Sequence, residues 1–411
     1  MAEWNWAHSH RLAGTGLVRP ASIEELAETV ASATHVRALG SRHSFTDIAD
    51  SRGLLVSLGG LPAAVEVDTE YRRATVSAGM PYGEVARALH DQGWALAALA
   101  SLPQISVGGA VATGTHGSGD RTGSLAAAVA GLELVTPDGS LAQVSRGEPD
   151  FDGSVVALGA LGVVTRLTLD LVPAYDLRQD IFLDLPWETV ESDLDAVTSA
   201  AYSVSLVTDF EGDTIGQVWL KARSDAAPEP PRGARPAPGP VTMLRGAPQE
   251  PVTEQGGIAG PWLERLPHYR MEFTPSRGAE LQSEYLVPRD HALEALAALR
   301  RLAPRFAPVL QGAEIRTVAA DPLWLSSSYG ADVVGVHFTW VRDEAAVYAV
   351  LPAIEDVLLP LGARPHWGKC FVATVADLGL LYPRLADFRT LRERADPTGK
   401  FANAWLERVV G

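Results

Sequence analysis

A chain of 411 residues with 46% hydrophobic content is long enough to bury a large core and to divide into two or three structural units. Its 50 acidic against 34 basic residues leave a formal charge of −16, which opposes unspecific attraction to nucleic acid or to an anionic membrane. The opening Met1-Ala2-Glu3-Trp4-Asn5-Trp6 lacks the basic-then-apolar layout of a secretory signal, no apolar run reaches a membrane span, and Cys370 is the one cysteine, so a cytoplasmic protein is expected.

In chain order, Ser22 and Glu25 form a capping-box pattern ahead of Ile23, Leu26, Ala27, Val30 and Ala31, which share one face of a predicted helix. A short strand over 36–39 runs into Gly40-Ser41-Arg42-His43-Ser44. Strands are predicted over 54–57, 64–67 and 74–77, then a helix with Tyr82, Val85, Ala86 and Leu89 on its apolar face. The stretch 106–123, rich in Gly, Ser and Thr, is too long for one turn and allows the backbone to approach a ligand closely. A hairpin is expected around Pro137-Asp138-Gly139-Ser140. A buried strand from near Gly162 (Val163, Val164, Leu167, Leu169) ends at Pro173, where the first domain boundary is placed. The segment Ala226–Pro240, with prolines at 228, 230, 231, 236, 238 and 240, reads as an extended surface loop. Beyond it come a strand over 281–287, a helix over 290–302, strands over 313–318 and 333–340, and a helix over 343–361. Together these form a second α+β unit, and no internal repeat is found.

The two glycine-bearing loops suit a nucleotide cofactor, because a diphosphate needs clustered backbone N–H donors and small side chains. Neither loop fits the G-x-G-x-x-G fingerprint or a phosphate loop ending in Gly-Lys-Ser/Thr. No G-x-S-x-G elbow points to a serine hydrolase, and no His/Asp/Glu group has metal-ligand spacing. On the predicted strands Glu314 and Arg316 project from one face while Ile315 points to the other, and His337 and Thr339 repeat that alternation against Val336, Phe338 and Trp340. The pattern suits a pocket that hydrogen-bonds several hydroxyls, and a solvent-facing strand pair would show it too.

Gly40-Ser41-Arg42-His43-Ser44-Phe45, Ser101-Leu102-Pro103-Gln104-Ile105-Ser106-Val107-Gly108-Gly109 and Thr113-Gly114-Thr115-His116-Gly117 resemble the vanillyl-alcohol-oxidase family of FAD enzymes, and within it the alditol oxidases. The resemblance continues through Gly159-Ala160-Leu161-Gly162-Val163-Val164, Glu314-Ile315-Arg316-Thr317, His337-Phe338-Thr339-Trp340, His366-Trp367-Gly368-Lys369 and Asp396-Pro397-Thr398-Gly399-Lys400-Phe401-Ala402-Asn403, nearly the whole chain. It implies an α+β, two-domain FAD-binding fold. The FAD domain would comprise 1–173 and be rejoined by 371–411, with a substrate domain over 174–370 and the flavin at their interface.

The resemblance further implies FAD attached covalently through His43 to the flavin 8α-methyl group. The cofactor would be lined by Ala38, Leu39, Gly40, Ser41, Arg42, Ser44, Ser101, Ser106, Gly109, Val111, Ala112, Thr113, Gly114, His116, Gly117, Val164 and His366, with His116 chiefly structural. Arg42 stands where many members have a small residue. Cys370 follows the C-terminal lysine motif, so a single tether is expected. Ser101, Glu314, Arg316, Thr339 and Lys369 match residues that contact the polyol in alditol oxidases, and His337 lies beside them. Glu314 would accept hydrogen bonds from hydroxyls, while Arg316 and Lys369 would stabilise an alkoxide; either Lys369 or His337 would be the base. The implied reaction takes the terminal C1 alcohol of an alditol such as xylitol or sorbitol to the aldose, with oxygen reduced to hydrogen peroxide; the small Ala100 and Ser101 would leave room for oxygen. The expected partners are therefore a polyol and molecular oxygen, with no metal, nucleic acid or membrane, and the expected state is a monomer. Competing readings are an aldonolactone oxidase or dehydrogenase sharing the Glu-x-Arg and His-Trp-x-Lys signatures, a non-catalytic flavin-binding protein, and a carbohydrate-binding protein without flavin.

Overall fold

The computed structural model describes residues 3–244, 246–273 and 279–411. The first helix, Ile23–Ser32, starts where the Ser22 hydroxyl accepts from the Glu25 backbone N–H, and it buries Leu26 and Val30. These two side chains pack with Val36, Val56 and Phe401 against a three-stranded parallel sheet of Gly16–Val18, Leu54–Val56 and Val36–Ala38 in that spatial order.

Next to it lies a five-stranded antiparallel sheet, ordered Val65–Asp68, Arg73–Ser77, Val163–Asp170, Val129–Val135 and Leu141–Ser145. Strand Val163–Asp170 alternates buried and half-buried positions along its length, as a sheet with one face on a core requires. That core also takes Phe388, Leu391, Trp405 and Leu406 from the end of the chain, alongside Val76, Leu89, Leu132 and Leu167.

A nine-stranded antiparallel sheet makes up most of the rest. Its long strands run in the order Asp176–Pro186, Thr214–Arg223, Ser203–Thr208, Leu310–Val318, Val333–Val341 and Glu280–Pro288. Helices Ala292–Phe306 and Glu344–Leu358 cover one face, packing Leu296, Leu299, Leu351 and Ile354 on Ile315, Val336, Phe338 and Trp340. The opposite face carries polar residues, a small apolar cluster of Ile181, Val207, Trp219 and Val252, and a cavity.

Sequence patterning does not reveal the strands Asp176–Pro186, Ser203–Thr208 and Thr214–Arg223. Ser203–Thr208 is buried throughout, so its Ser203, Ser205 and Thr208 break the apolar signal without marking a solvent face. The proline-rich segment 226–240 is extended as expected, and its Arg235–Pro236 pairs with the sheet edge at Leu183 and Phe182. The helix placed over 290–302 instead spans Ala292–Phe306, with Pro304 inside its last turn. Among the described residues no helix is long and apolar enough to cross a membrane.

Candidate active site

One large cavity, of about 460 Å³, lies between the two glycine-bearing loops and the polar face of the nine-stranded sheet. At the loop end the Ser41 N–H donates to Ser106 Oγ (3.3 Å) and the Ser106 N–H donates to Ser41 Oγ (3.2 Å), tying the loops together. A Cβ on Gly40 would sit 2.6 Å from Ser106 Oγ and would push that hydroxyl off its bond to the Ser41 N–H, so glycine suits this crossing. Arg42 takes a left-handed backbone (φ 65°) and turns its guanidinium out to an ion pair with Glu3, which accommodates the bulky residue in this loop.

His43 stacks on Trp6, with ring centroids 5.3 Å apart and planes at 26°. Its Nδ1 is buried and has no hydrogen-bond partner among the described residues, and burial brings the imidazole down to about 4 against the opposing pull of the Ser41 backbone, with the Arg42 charge adding to the fall. A neutral ring with an unpartnered nitrogen is the state needed to bond to an electrophilic carbon. Together with the glycine cradle, these features fit a flavin dinucleotide. Cys370 does not line the cavity; its thiol is buried, lies 3.9 Å from the Phe45 carbonyl, and is pushed up to about 11 by burial.

Register builds the other end. Glu284, His337 and Glu314 lie directly opposite one another on three adjacent strands, and the next row is Gln282, Thr339 and Gly312. Such cross-strand neighbours share a face. Glu284 is 1% exposed and ties the row together: Oε1 accepts from Arg316 Nη2 (2.8 Å) and Oε2 from Lys369 Nζ (2.5 Å), while His116 Nε2 is 3.2 Å from Oε1. A Cβ on Gly335 would come within 3.3 Å of Glu284 Oε1, so the glycine leaves that carboxylate room. Lys369 Nζ also lies 2.8 Å from His337 Nδ1, and His337 Nε2 lies 3.3 Å from the Thr339 hydroxyl.

Glu314 is held from two sides, by His268 Nε2 at 2.9 Å from Oε1 and by Arg316 Nε at 3.5 Å from Oε2. The second contact is within ion-pair range but long for a hydrogen bond, and Arg316 Nε has no hydrogen-bond partner among the described residues, which leaves a donor for a bound oxygen. Arg316 Nη1 reaches Ser101 Oγ at 3.4 Å, linking the polar sheet face to the loop half.

Burial pushes the carboxyls of Glu284 and Glu314 up, but the neighbouring charges overcome it. Lys369 and Arg316 hold Glu284, and Arg316 and His268 hold Glu314, well below the usual carboxylate range. Burial, then the charge of Lys369, brings His337 down to about 3. Lys369 is lowered by burial against the pull of Glu284, and Lys221, deeper in the sheet, is lowered to about 7 by burial against the pull of Glu314. Burying this many charges costs stability unless all are paired. Such a cluster beside a cavity is therefore better explained by chemistry than by folding.

All the residues anticipated for cofactor, substrate and catalysis line this one cavity except Gly114 and Gly117. Gly114 supplies a left-handed turn (φ 65°), and a Cβ on Gly117 would meet the Leu99 carbonyl at 2.6 Å, so both serve the path of the chain. His116 lines the cavity and also contacts Glu284. Glu284, His268 and Lys221 were not anticipated. Glu284 carries a readable signal, since Glu280, Gln282 and Glu284 alternate with Leu281, Ser283 and Tyr285; His268 sits in an irregular loop with none. Among the described residues no group of three or more His, Cys, Asp or Glu is placed to hold a metal ion.

Comparison with known proteins agrees with this geometry. Residues 15–145 match the family described as FAD binding domain, and residues 274–409 match that described as D-arabinono-1,4-lactone oxidase. The chain is 51% identical to an alditol oxidase from a Streptomyces species, over 99% of this chain and 98% of that protein. It is 31% identical to an L-gulono-1,4-lactone dehydrogenase of Mycobacterium tuberculosis, over 99% and 98% respectively. A crystal structure of cholesterol oxidase from B. sterolicum has the same fold, with a TM-score of 0.80 at 14% identity, covering 100% of this chain and 96% of that one.

Proposed function

Because the chain belongs to the vanillyl-alcohol-oxidase family of FAD-dependent oxidoreductases, we propose that it oxidises the terminal hydroxyl of an alditol, such as xylitol or sorbitol, to the aldose and reduces oxygen to hydrogen peroxide. The observation that carries this reading is the row of paired polar side chains, Glu284, His337 and Glu314 with Arg316, Thr339 and Lys369, set across the cavity from the glycine loops. A polyol presents several hydroxyls, and Glu314 as acceptor with Arg316, Ser101 and Thr339 as further partners matches that chemistry. Residues 1–173 and 371–411 form the proposed FAD unit, 174–370 the substrate unit.

FAD, when bound, takes up the hydride released from the alcohol carbon and hands the electrons to oxygen. Gly40, Ser41, Ser106 and Gly109 would cradle it and His43 would hold it covalently. The protein's own task is the hydroxyl proton. Lys369 as an ammonium donates to His337 Nδ1, which places the ring's hydrogen on Nε2 and leaves no lone pair open. Lys369 as a neutral amine accepts from Nδ1–H instead, and Nε2 then carries the lone pair, beside the Thr339 hydroxyl. The substrate proton moves to His337 Nε2 as the Nδ1 proton moves to Lys369 Nζ. His337 thus conducts without ever becoming imidazolium, in keeping with the burial that lowers it, and Lys369 is the final acceptor. Arg316, permanently charged, stabilises the alkoxide that forms.

Acid precipitation of purified wild type and His43→Ala, followed by spectra of pellet and supernatant, tests the tether; flavin should stay with the wild-type pellet and leave the variant's. Peroxide release with xylitol or sorbitol, measured against L-gulono-1,4-lactone, tests the substrate. Turnover of the lactone alone would replace the alditol reading with the aldonolactone one that the mycobacterial relative favours.

A further inference from the structure

We propose that His268 is a positioning residue, locked in one tautomer by the buried Lys221 so that its Nε2–H holds the Glu314 carboxylate in place for the substrate. This role presupposes the alditol oxidation proposed above.

Lys221 lies on the cavity face of strand Thr214–Arg223, two residues beyond Trp219, and is 1% exposed. Its Nζ meets three acceptors: the carbonyls of Leu266 (2.5 Å) and Pro267 (3.2 Å) and the Nδ1 of His268 (3.2 Å). Three acceptors match the three hydrogens of an ammonium, the form Lys221 holds below its lowered value of about 7, and an ammonium offers no lone pair in return. His268 Nδ1 must then accept, so the ring's hydrogen is on Nε2, where it points at Glu314 Oε1 across 2.9 Å. The opposite tautomer would set a ring lone pair against a carboxylate oxygen.

The rest of the segment is fastened as a positioning role requires. The backbone N–H groups of His268 and Tyr269 both donate to the Ser101 carbonyl, at 3.1 and 3.2 Å. Thr253 donates its N–H to the His268 carbonyl (3.0 Å) and its hydroxyl to that of Pro267 (2.8 Å). The imidazole meets Trp219 edge to face at 5.4 Å between ring centroids. One residue therefore joins, through its backbone, the loop carrying Ser101 and, through its ring, the strand carrying Glu314 and Arg316. A carboxylate held on Oε1 by His268 keeps Oε2 and its remaining lone pairs at a fixed place for hydroxyls.

Anaerobic stopped-flow reduction of the flavoprotein by xylitol and by sorbitol separates the polyol Kd from the limiting reduction rate, and is run on wild type and four variants. His268→Leu should raise Kd about tenfold, the scale of one charge-assisted hydrogen bond, with most of the loss in Kd and not in the limiting rate. His268→Gln, whose amide N–H₂ reaches about as far as Nε2, should restore Kd to near wild type, whereas His268→Asn, with its donor at the Nδ1 distance, should behave like Leu. Lys221→Met should fall between Gln and Leu, because the tautomer is no longer fixed. A wild-type Kd in His268→Leu overturns the proposal. So do equal Kd values for the Gln and Asn variants, a comparison that survives if the Leu variant fails to fold. If neither polyol reduces wild-type flavin, the functional reading falls and this role with it; if wild type is reduced and the variants match it, only the role of His268 is lost.

Discussion

Arg37 and Lys400 in the loop half of the molecule are buried to much the same degree as Arg316 and Lys369 in the sheet half, yet they meet different partners. Arg37 donates to the carbonyls of Ile48, Leu158, Gly159 and Phe401, and Lys400 to those of Val30, Ala31 and Pro137. Arg316 and Lys369 meet Glu284, Glu314 and His337. Carbonyls are fixed dipoles with no proton to exchange, so the first pair can only fasten distant segments together. Carboxylates and imidazole titrate, so the second pair sets protonation states. A buried cation therefore declares its role by what accepts from it.

Exchanging the two arginines tests that distinction most severely. Arg316→Met should lower kcat/KM by about 10³, the scale seen when a preorganised donor to a developing oxyanion is lost, with acid-stable flavin retained. Arg37→Met should do the reverse. It leaves four buried carbonyls short of a donor and should cost about 3 kcal/mol of unfolding free energy, read from denaturant titration, while kcat/KM per bound flavin stays near wild type. If Arg37→Met destroys turnover without loss of stability, the contrast between the halves is wrong.

Titration offers a sharper but smaller test. Burial lowers Lys369 from its usual value, and the relay works only when Lys369 is neutral. As pH falls through that lowered value Lys369 takes up a proton, so kcat/KM should fall about tenfold per pH unit below it. Lys369→Met should have a low plateau without this limb. No such limb should arise from His337, whose value of about 3 lies below the assay range.

Why some of this could be read from the sequence and some could not follows from the same contrast. Gly40, Ser41, His43 and Ser106 stand in continuous motifs, and Glu314, Arg316, His337 and Thr339 alternate with core residues along single strands, so local pattern singles them out while only the family resemblance gives them roles. Glu284 lies on a strand of the same kind and alternates in the same way, but only register across three strands brings it opposite His337 and so gives it a place in the site. Lys221 and His268 are 47 positions apart in the chain and meet only through a loop folded back over the sheet. The strand Ser203–Thr208 is not legible because both of its faces are buried, which removes the alternation that marks a strand.

The smallest test uses one isosteric change in each half. Thr339 Oγ1 lies 3.3 Å from His337 Nε2 on the cavity wall, and Thr165 Oγ1 donates to Glu133 Oε1 at 2.7 Å within the five-stranded sheet. Each hydroxyl is worth about 1 kcal/mol. Thr339→Val should spend that on the substrate, raising KM for xylitol about fivefold with the unfolding midpoint unchanged, because the lost partner serves a bound hydroxyl and the His337 tautomer. Thr165→Val should lower unfolding free energy by about the same amount and leave KM alone, since Glu133 keeps access to solvent and the Thr165 hydroxyl bonds to Glu133 and not to a cavity side chain. A shift in KM from Thr165→Val, or in stability alone from Thr339→Val, would mean that the two halves are coupled more tightly than their separate hydrogen-bond networks imply.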